Sequence, residues 1–175
     1  MKENLITQTK ACTIPDGVQV IIKAGKHHNP LLQEYLIIQD ANDRQSGTGI
    51  KKYGIPGGAI FVKERIPDAA DREVREEVGM YVESIFFGSF TKQRGEGVYN
   101  TNHLFIANCS KPPLVIETQD KKEVSCVRTF NLLEIVDLYQ KGRFHVGSIR
   151  LIFHFLNGTE EGNLDEPVKY LGWTF

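Results

Sequence analysis

Glu73, Glu76 and Glu77 carry side chains whose type and spacing suit metal-assisted chemistry. At i, i+3 and i+4 they would project three carboxylates from one face of a helix. Acid-first pairs, Asp68 with Arg72 and Asp71 with Arg75, should brace that helix, and Glu76 can reach back to Arg72. Glu73 and Glu77 have no cation three or four residues away. Like-charge pairs at such spacing each cost about 0.2–0.5 kcal/mol. They also sit toward the C-terminal end, where the helix dipole disfavours anions. A solvated acidic face tolerates such a cost, and on composition alone it is the commoner outcome. A hard divalent cation would also resolve the repulsion, because Mg²⁺ takes carboxylate and water oxygens and shares them with substrate phosphates.

The helix should begin near Pro67, whose fixed φ suits a first turn, and end at Val78, with Gly79 as a left-handed stop. Val74 and Val78 lie around the helix from the glutamates and can pack it onto a sheet. Upstream, Gly57 and Gly58 permit close backbone approach. A loop, Ala59–Lys63, then leads to Glu64.

The whole string, GAIFVKERIPDAADREVREEVGM from Gly58 to Met80, resembles the signature of the Nudix hydrolases without a departure. Its fixed positions are Gly58, Glu64, Arg72, Glu73, Glu76, Glu77 and Gly79, with Val74 and Met80 in the aliphatic places. A chance match is on the order of one in ten million. The resemblance implies an α/β fold, an α/β/α sandwich around a mixed sheet. It implies a single domain over residues 1–175, with residues 158–175 as a C-terminal extension. The implied activity is hydrolysis of a nucleoside diphosphate linked to another moiety, such as a nucleoside triphosphate or ADP-ribose. Glu73, Glu76 and Glu77, joined by the Gly58 carbonyl, would hold Mg²⁺ or Mn²⁺. Glu64 would support the site, and Arg72 would orient Glu64 or Glu73 by an ion pair. The general base is Glu73 on the helix, or Glu117 or Glu123 in a later loop. Glu123 stands just before a strand, where many relatives carry an acid, but a solvated loop carboxylate explains it about as well.

Elsewhere, Val18–Ala24, Glu34–Gln39, Lys51–Ile55, Tyr81–Phe90, Asn102–Asn108 and Val124–Phe130 read as strands. Gly25–Pro30 reads as a turn, and Asp40–Gly49 and Lys92–Gly97 as polar loops. Asn131, with Glu134 three residues on, should cap a helix to about Tyr139. A last helix over Gly147–Leu156 presents Ile149, Ile152, Phe153 and Leu156 as one stripe, with Arg150 and His154 on the opposite side.

The chain has 175 residues and a formal net charge of −1. No whole-chain positive field exists to hold nucleic acid or an anionic membrane. Cys12, Cys109 and Cys126 lack metal-ligand or redox spacing and read as thiols in a reducing compartment. Neither a signal peptide nor a membrane-length apolar run is evident, so a cytoplasmic location is expected.

Substrate choice is less legible. Lys92 and Arg94, with Arg44, Lys51 and Lys52, could meet phosphate, although surface solvation explains each of them. Tyr53, Phe90, Tyr99, Phe105 and Trp173 offer planes for a base, with a core role favoured for Phe90 and Phe105. His27 and His28 suggest a turn, and His103, His145 and His154 structural roles. The tail ending in Trp173 and Phe175 could fold over the domain, contact a second subunit in a homodimer, or cover the ligand; burial of large aromatics favours the first two. The rival functions are a Nudix-fold ligand-binding or regulatory module, against which the intact glutamates argue, and removal of 5′ diphosphates from RNA, against which the neutral charge argues.

Overall fold

The computed structural model describes residues 15–42, 49–110 and 122–175. Arg44, Glu117 and Cys12 lie outside them.

The strand β1 (Gly17–Ala24) buries Val18, Val20, Ile22 and Ala24 on one face and Ile21 on the other, where Gln19 and Lys23 are half-buried. Along one edge it runs parallel to β6 (Val98–Cys109) over its whole length. Along the other it pairs antiparallel with β2 (Glu34–Asp40), but only from Ile22 to Ala24. Below that point the two strands part, and the glycine-rich segment enters between them. β3 (Tyr53–Gly54) pairs with Ile38 and Gln39 of β2, and β4 (Gly57–Ala59) with Gly17–Gln19 of β1. β5 (Ser84–Gly95) pairs antiparallel with β6, and β7 (Val124–Asn131) with β2. The described residues thus form a mixed sheet in the order β3-β2-β1-β6-β5-β8, with β8 at Glu161–Asn163.

Alternation along β1 builds two cores. Val18, Val20, Ile22 and Ala24 face Ala69, Ala70, Val74 and Val78 of the motif helix. Ile21 faces the opposite layer, where Leu132, Ile135 and Val136 of α2 (Leu132–Gln140) meet Ile149, Ile152 and Phe153 of α3 (Val146–Leu156). The result is the expected α/β/α sandwich. Phe90 and Phe105 are core residues, as expected, and so is Tyr53, which packs edge-on against Phe130 and is not free to stack on a ligand. Asn131 and Glu134 form the expected reciprocal cap of α2.

Four expectations need correction. The motif helix is α-helical only as α1 (Ile66–Glu73); Val74–Val78 continue as a π turn before Gly79 ends it at φ 73°. The expected loop at Lys92–Gly97 is mostly strand: β5 runs to Gly95, and the chain reverses at Glu96 and Gly97. The polar loop at Asp40 starts one residue late, because Asp40 ends β2. The strand expected at Lys51–Ile55 shrinks to Tyr53–Gly54, since the wedge leaves it only two partners on β2.

Arg150 and His154 do not face solvent together. The tail folds over them: Arg150 donates to the backbone carbonyls of Leu164 and Phe175, and His154 lies against the Phe90 ring at 4.8 Å. β9 (Lys169–Tyr170) and β10 (Trp173–Thr174) form a small hairpin, and Phe175 stacks on Phe153 at 4.2 Å. No helix among the described residues is long and apolar enough to cross a membrane. Because Phe175 is 6% exposed, Phe175→Ala is expected to cost about 3 kcal/mol in chemical denaturation. Unchanged stability would mean that the tail does not seal this core.

Candidate functional site

The wedge brings Gly57 and Gly58 beneath the motif helix. At Gly57 a side chain would collide with the Val18 carbonyl, and at Gly58 with the Glu73 carboxylate. Glycine is required at both places because backbone and carboxylate occupy the Cβ positions. The Gly57 N–H donates to Glu77 Oε2 at 2.8 Å, which ties the far end of the helix to the sheet.

Arg72 ties the loop to the near end. Its Nε donates to Glu64 Oε1 at 2.7 Å and its Nη2 to Glu64 Oε2 at 3.0 Å. Nη1 reaches Glu73 at 2.6 Å and Glu76 at 3.2 Å, and Nη2 also binds the Ala59 carbonyl at 2.9 Å. Phe61 stacks beneath the guanidinium, 4.1 Å away. The Asp68–Arg72 pairing is therefore not made, and Asp71 instead accepts from Ser84. Glu73 has a cation after all, its immediate neighbour, which a count of helical spacings at three and four residues overlooks. Arg72 meets both of its expected partners, Glu64 and Glu73.

Glu73 and Glu77 are 8% and 6% exposed. Burial raises the Glu73 pKa above the ordinary carboxylate value, against the opposing pull of Arg72. Glu77 is pushed up to about 8, first by burial and then by the charges of Glu73, Glu123 and Asp40; the Gly57 N–H opposes this in part. The hydrogen bond from Arg72 instead holds Glu64 below its ordinary value.

A cavity of about 420 Å³ opens beside these groups. Of the residues singled out from the motif and the later loop, Gly58, Glu77 and Glu123 line it, whereas Glu64, Arg72, Glu73 and Glu76 do not. Lys52, Lys92 and Arg94, which surface solvation alone could have explained, also line it. Two further residues had no sequence signal. Asp40 and His145 are far apart in the chain, yet His145 Nε2 and Asp40 Oδ2 stand 2.8 Å apart on the cavity wall. His145 thus sits in the site rather than in a purely structural place. Asn102 also lines the cavity, and its Nδ2 is buried without a hydrogen-bond partner, an arrangement that costs about 1–3 kcal/mol.

The donor set fits a hard divalent cation in chemistry, with carboxylate oxygens beside a backbone glycine. Two of the carboxylates are buried and mutually repulsive, and a cation would relieve both penalties. As they stand, no three His, Cys, Asp or Glu side chains among the described residues converge as a metal cage. Arg72 holds Glu73 and Glu76 to itself.

The profile described as NUDIX domain matches residues 14–155. The NUDIX domain of Shewanella oneidensis NrtR, solved with ADP ribose, superposes with a TM-score of 0.63 at 16% identity, covering 85% of this chain and 91% of that one. A NUDIX hydrolase from Nitrosomonas europaea gives 0.60 at 19% identity, covering 83% and 92%. At these identities the likeness is one of fold. No curated protein matches the chain in sequence.

The raised Glu77 pKa sets a pH dependence. The folded chain keeps this proton up to about pH 8, whereas the unfolded chain releases it near the ordinary 4.5. Between those values the folded state binds more protons, so stability should fall as pH rises, and level off above. In chelator, the melting temperature should decline by several degrees across that window. Glu77→Gln should flatten the slope; an unchanged slope would clear Glu77 as its source.

Proposed function

The chain belongs to the NUDIX domain family, and from that membership we propose that it hydrolyses a phosphoanhydride bond in a nucleoside diphosphate linked to another moiety. The observation that carries this reading is the meeting of the glycine wedge with the buried glutamates beside a charged cavity. One edge of the cavity is acidic, with Glu77, Glu123 and Asp40; Lys92 and Arg94 make another basic, and Lys52 lies beside Asp40. A diphosphate needs both kinds of edge: cations for its own oxygens, and carboxylates to share a metal with it.

Nudix hydrolases generally use divalent metals. Glu73, Glu76 and Glu77, with the Gly58 carbonyl, are the residues that would hold Mg²⁺ or Mn²⁺ here. Such an ion supplies charge neutralisation on the phosphate oxygens and a lower pKa for bound water. Arg72 keeps Glu73 and Glu76 fixed on the helix and Glu64 fixed on the loop. Glu123, on the cavity wall and near enough to raise the Glu77 pKa, is the favoured proton acceptor; Glu73 is the other candidate. Nucleoside triphosphates and nucleotide sugars such as ADP-ribose are the substrates to try first. The free thiols Cys109 and Cys126 suit a reducing cytoplasm.

A panel of nucleotides, nucleotide sugars, dinucleotides and 5′-diphosphate RNA, with Mg²⁺ or Mn²⁺, tests the reading by the phosphate or pyrophosphate measured after coupled digestion of the products. Glu76→Gln and Glu77→Gln should each lower kcat/KM at least about 100-fold, roughly 2.7 kcal/mol of transition-state stabilisation. Full activity in both variants would remove the carboxylates from the chemistry. Tight ligand binding without turnover of any compound would favour a binding module.

A further inference from the structure

We infer that Lys92, Asn102 and the first turn of α3 form a phosphate subsite in the cavity, built from donors and not from the motif glutamates. The subsite takes a second anionic group of the substrate. This deepens the hydrolase reading and rests on it only for where the scissile bond lies.

Three independent features meet there. First, α3 is an 11-residue helix whose cap, His145, makes no side-chain bond to the helix. The His145 carbonyl takes the Ile149 N–H, and Val146, Gly147 and Ser148 precede that first helical bond on the cavity wall. Second, Lys92 Nζ lies 3.7 Å from where a Cβ at Gly147 would stand, which places the ammonium against this turn. Among the described residues Lys92 has no ion-pair partner, and the nearby Asp165 carboxylate is engaged by the Gln93 N–H at 2.6 Å. Third, Asn102 is 7% exposed and its Nδ2 lacks an acceptor. Asn102 and Phe90 are register partners, so Asn102 and Lys92 project from the same face of the β5–β6 hairpin. Lysine, amide and helix N-terminus all donate, and a phosphate oxygen accepts from each.

The electrostatics agree. Burial lowers the Lys92 pKa, and repulsion from Arg94 and Arg150 adds to the effect, with only Asp165 opposing. An arriving anion would reverse both penalties. The cavity also offers little to a base: among the described residues His145 is its one aromatic ring. Recognition there is by phosphate, so the favoured substrates carry one beyond the pair at the carboxylates, either as a longer phosphate chain or as a phosphomonoester on the attached moiety.

Calorimetric titration of the full chain in EDTA, with inorganic phosphate, tripolyphosphate and ribose 5-phosphate as probes, tests the subsite without any metal. Lys92→Met should weaken phosphate binding at least about tenfold, while Lys92→Arg keeps it within about threefold. Asn102→Asp should weaken it through like-charge repulsion, and Lys141→Met, on the exposed end of α2, should leave it unchanged. Melting curves establish that each variant is folded. Tighter tripolyphosphate supports the subsite and points to a phosphate chain; tighter ribose 5-phosphate supports it and points to the phosphomonoester. No binding by wild type, or equal binding by Lys92→Met, overturns the subsite even if metal-dependent turnover is found. Binding with these losses but no hydrolysis of any substrate supports the subsite and removes the hydrolase reading.

Discussion

The fork of Arg72 is the contact on which the site depends. One guanidinium spans the loop after β4, through Glu64 and the Ala59 carbonyl, and the motif helix, through Glu73 and Glu76. A lysine could not replace it, because the Glu64 contact is bidentate and the ring of Phe61 stacks on the guanidinium plane. The side chain is 13% exposed, so its ion pairs are little screened, and its hydrogen bond to Glu64 raises its pKa further above the ordinary value. The glutamates differ because of where this fork reaches. Glu64 is held ionised and Glu73 is partly compensated. Glu77 lies beyond the fork with a single backbone donor and keeps its proton near neutrality.

The fork would have nothing to organise without the break in the sheet. β1 and β2 part after three paired positions, and the segment carrying Gly57 and Gly58 fills the gap. That places flexible sequence in a fixed, half-buried position between two strands that are themselves fixed by β6 and β7. The helix then closes over the glycines because Ala69, Ala70, Val74 and Val78 leave no gap above β1. The same parting of strands brings Asp40, at the end of β2, and His145, at the start of α3, onto the cavity wall.

What the sequence disclosed follows from locality. The start of the motif helix, its left-handed stop at Gly79, the cap at Asn131 and the strand at β1 are written in residues a few positions apart, and all are present. The reading weakened where long-range pairing decides. Lys92–Gly95 looks like a polar loop by composition, yet the register with β6 makes it strand, and that alternation turns Lys92 into the cavity. The Asp40–His145 contact joins residues with no pattern linking them. Arg150 and His154 are legible only as the side opposite the apolar stripe, because nothing in α3 itself announces that the tail will cover them. For Arg72, the helical spacing suggested Asp68, whereas burial selected the loop carboxylate.

On the proposed function, these carboxylates together hold a divalent cation. Titration of Mn²⁺ into the protein, followed by loss of the free-ion paramagnetic resonance signal, reads that directly and without substrate. Wild type should bind the ion. Glu76→Gln and Glu77→Gln should each weaken binding at least about tenfold, while Lys92→Met, across the cavity, should not. Equal Mn²⁺ affinity in wild type and both glutamine variants would contradict the account.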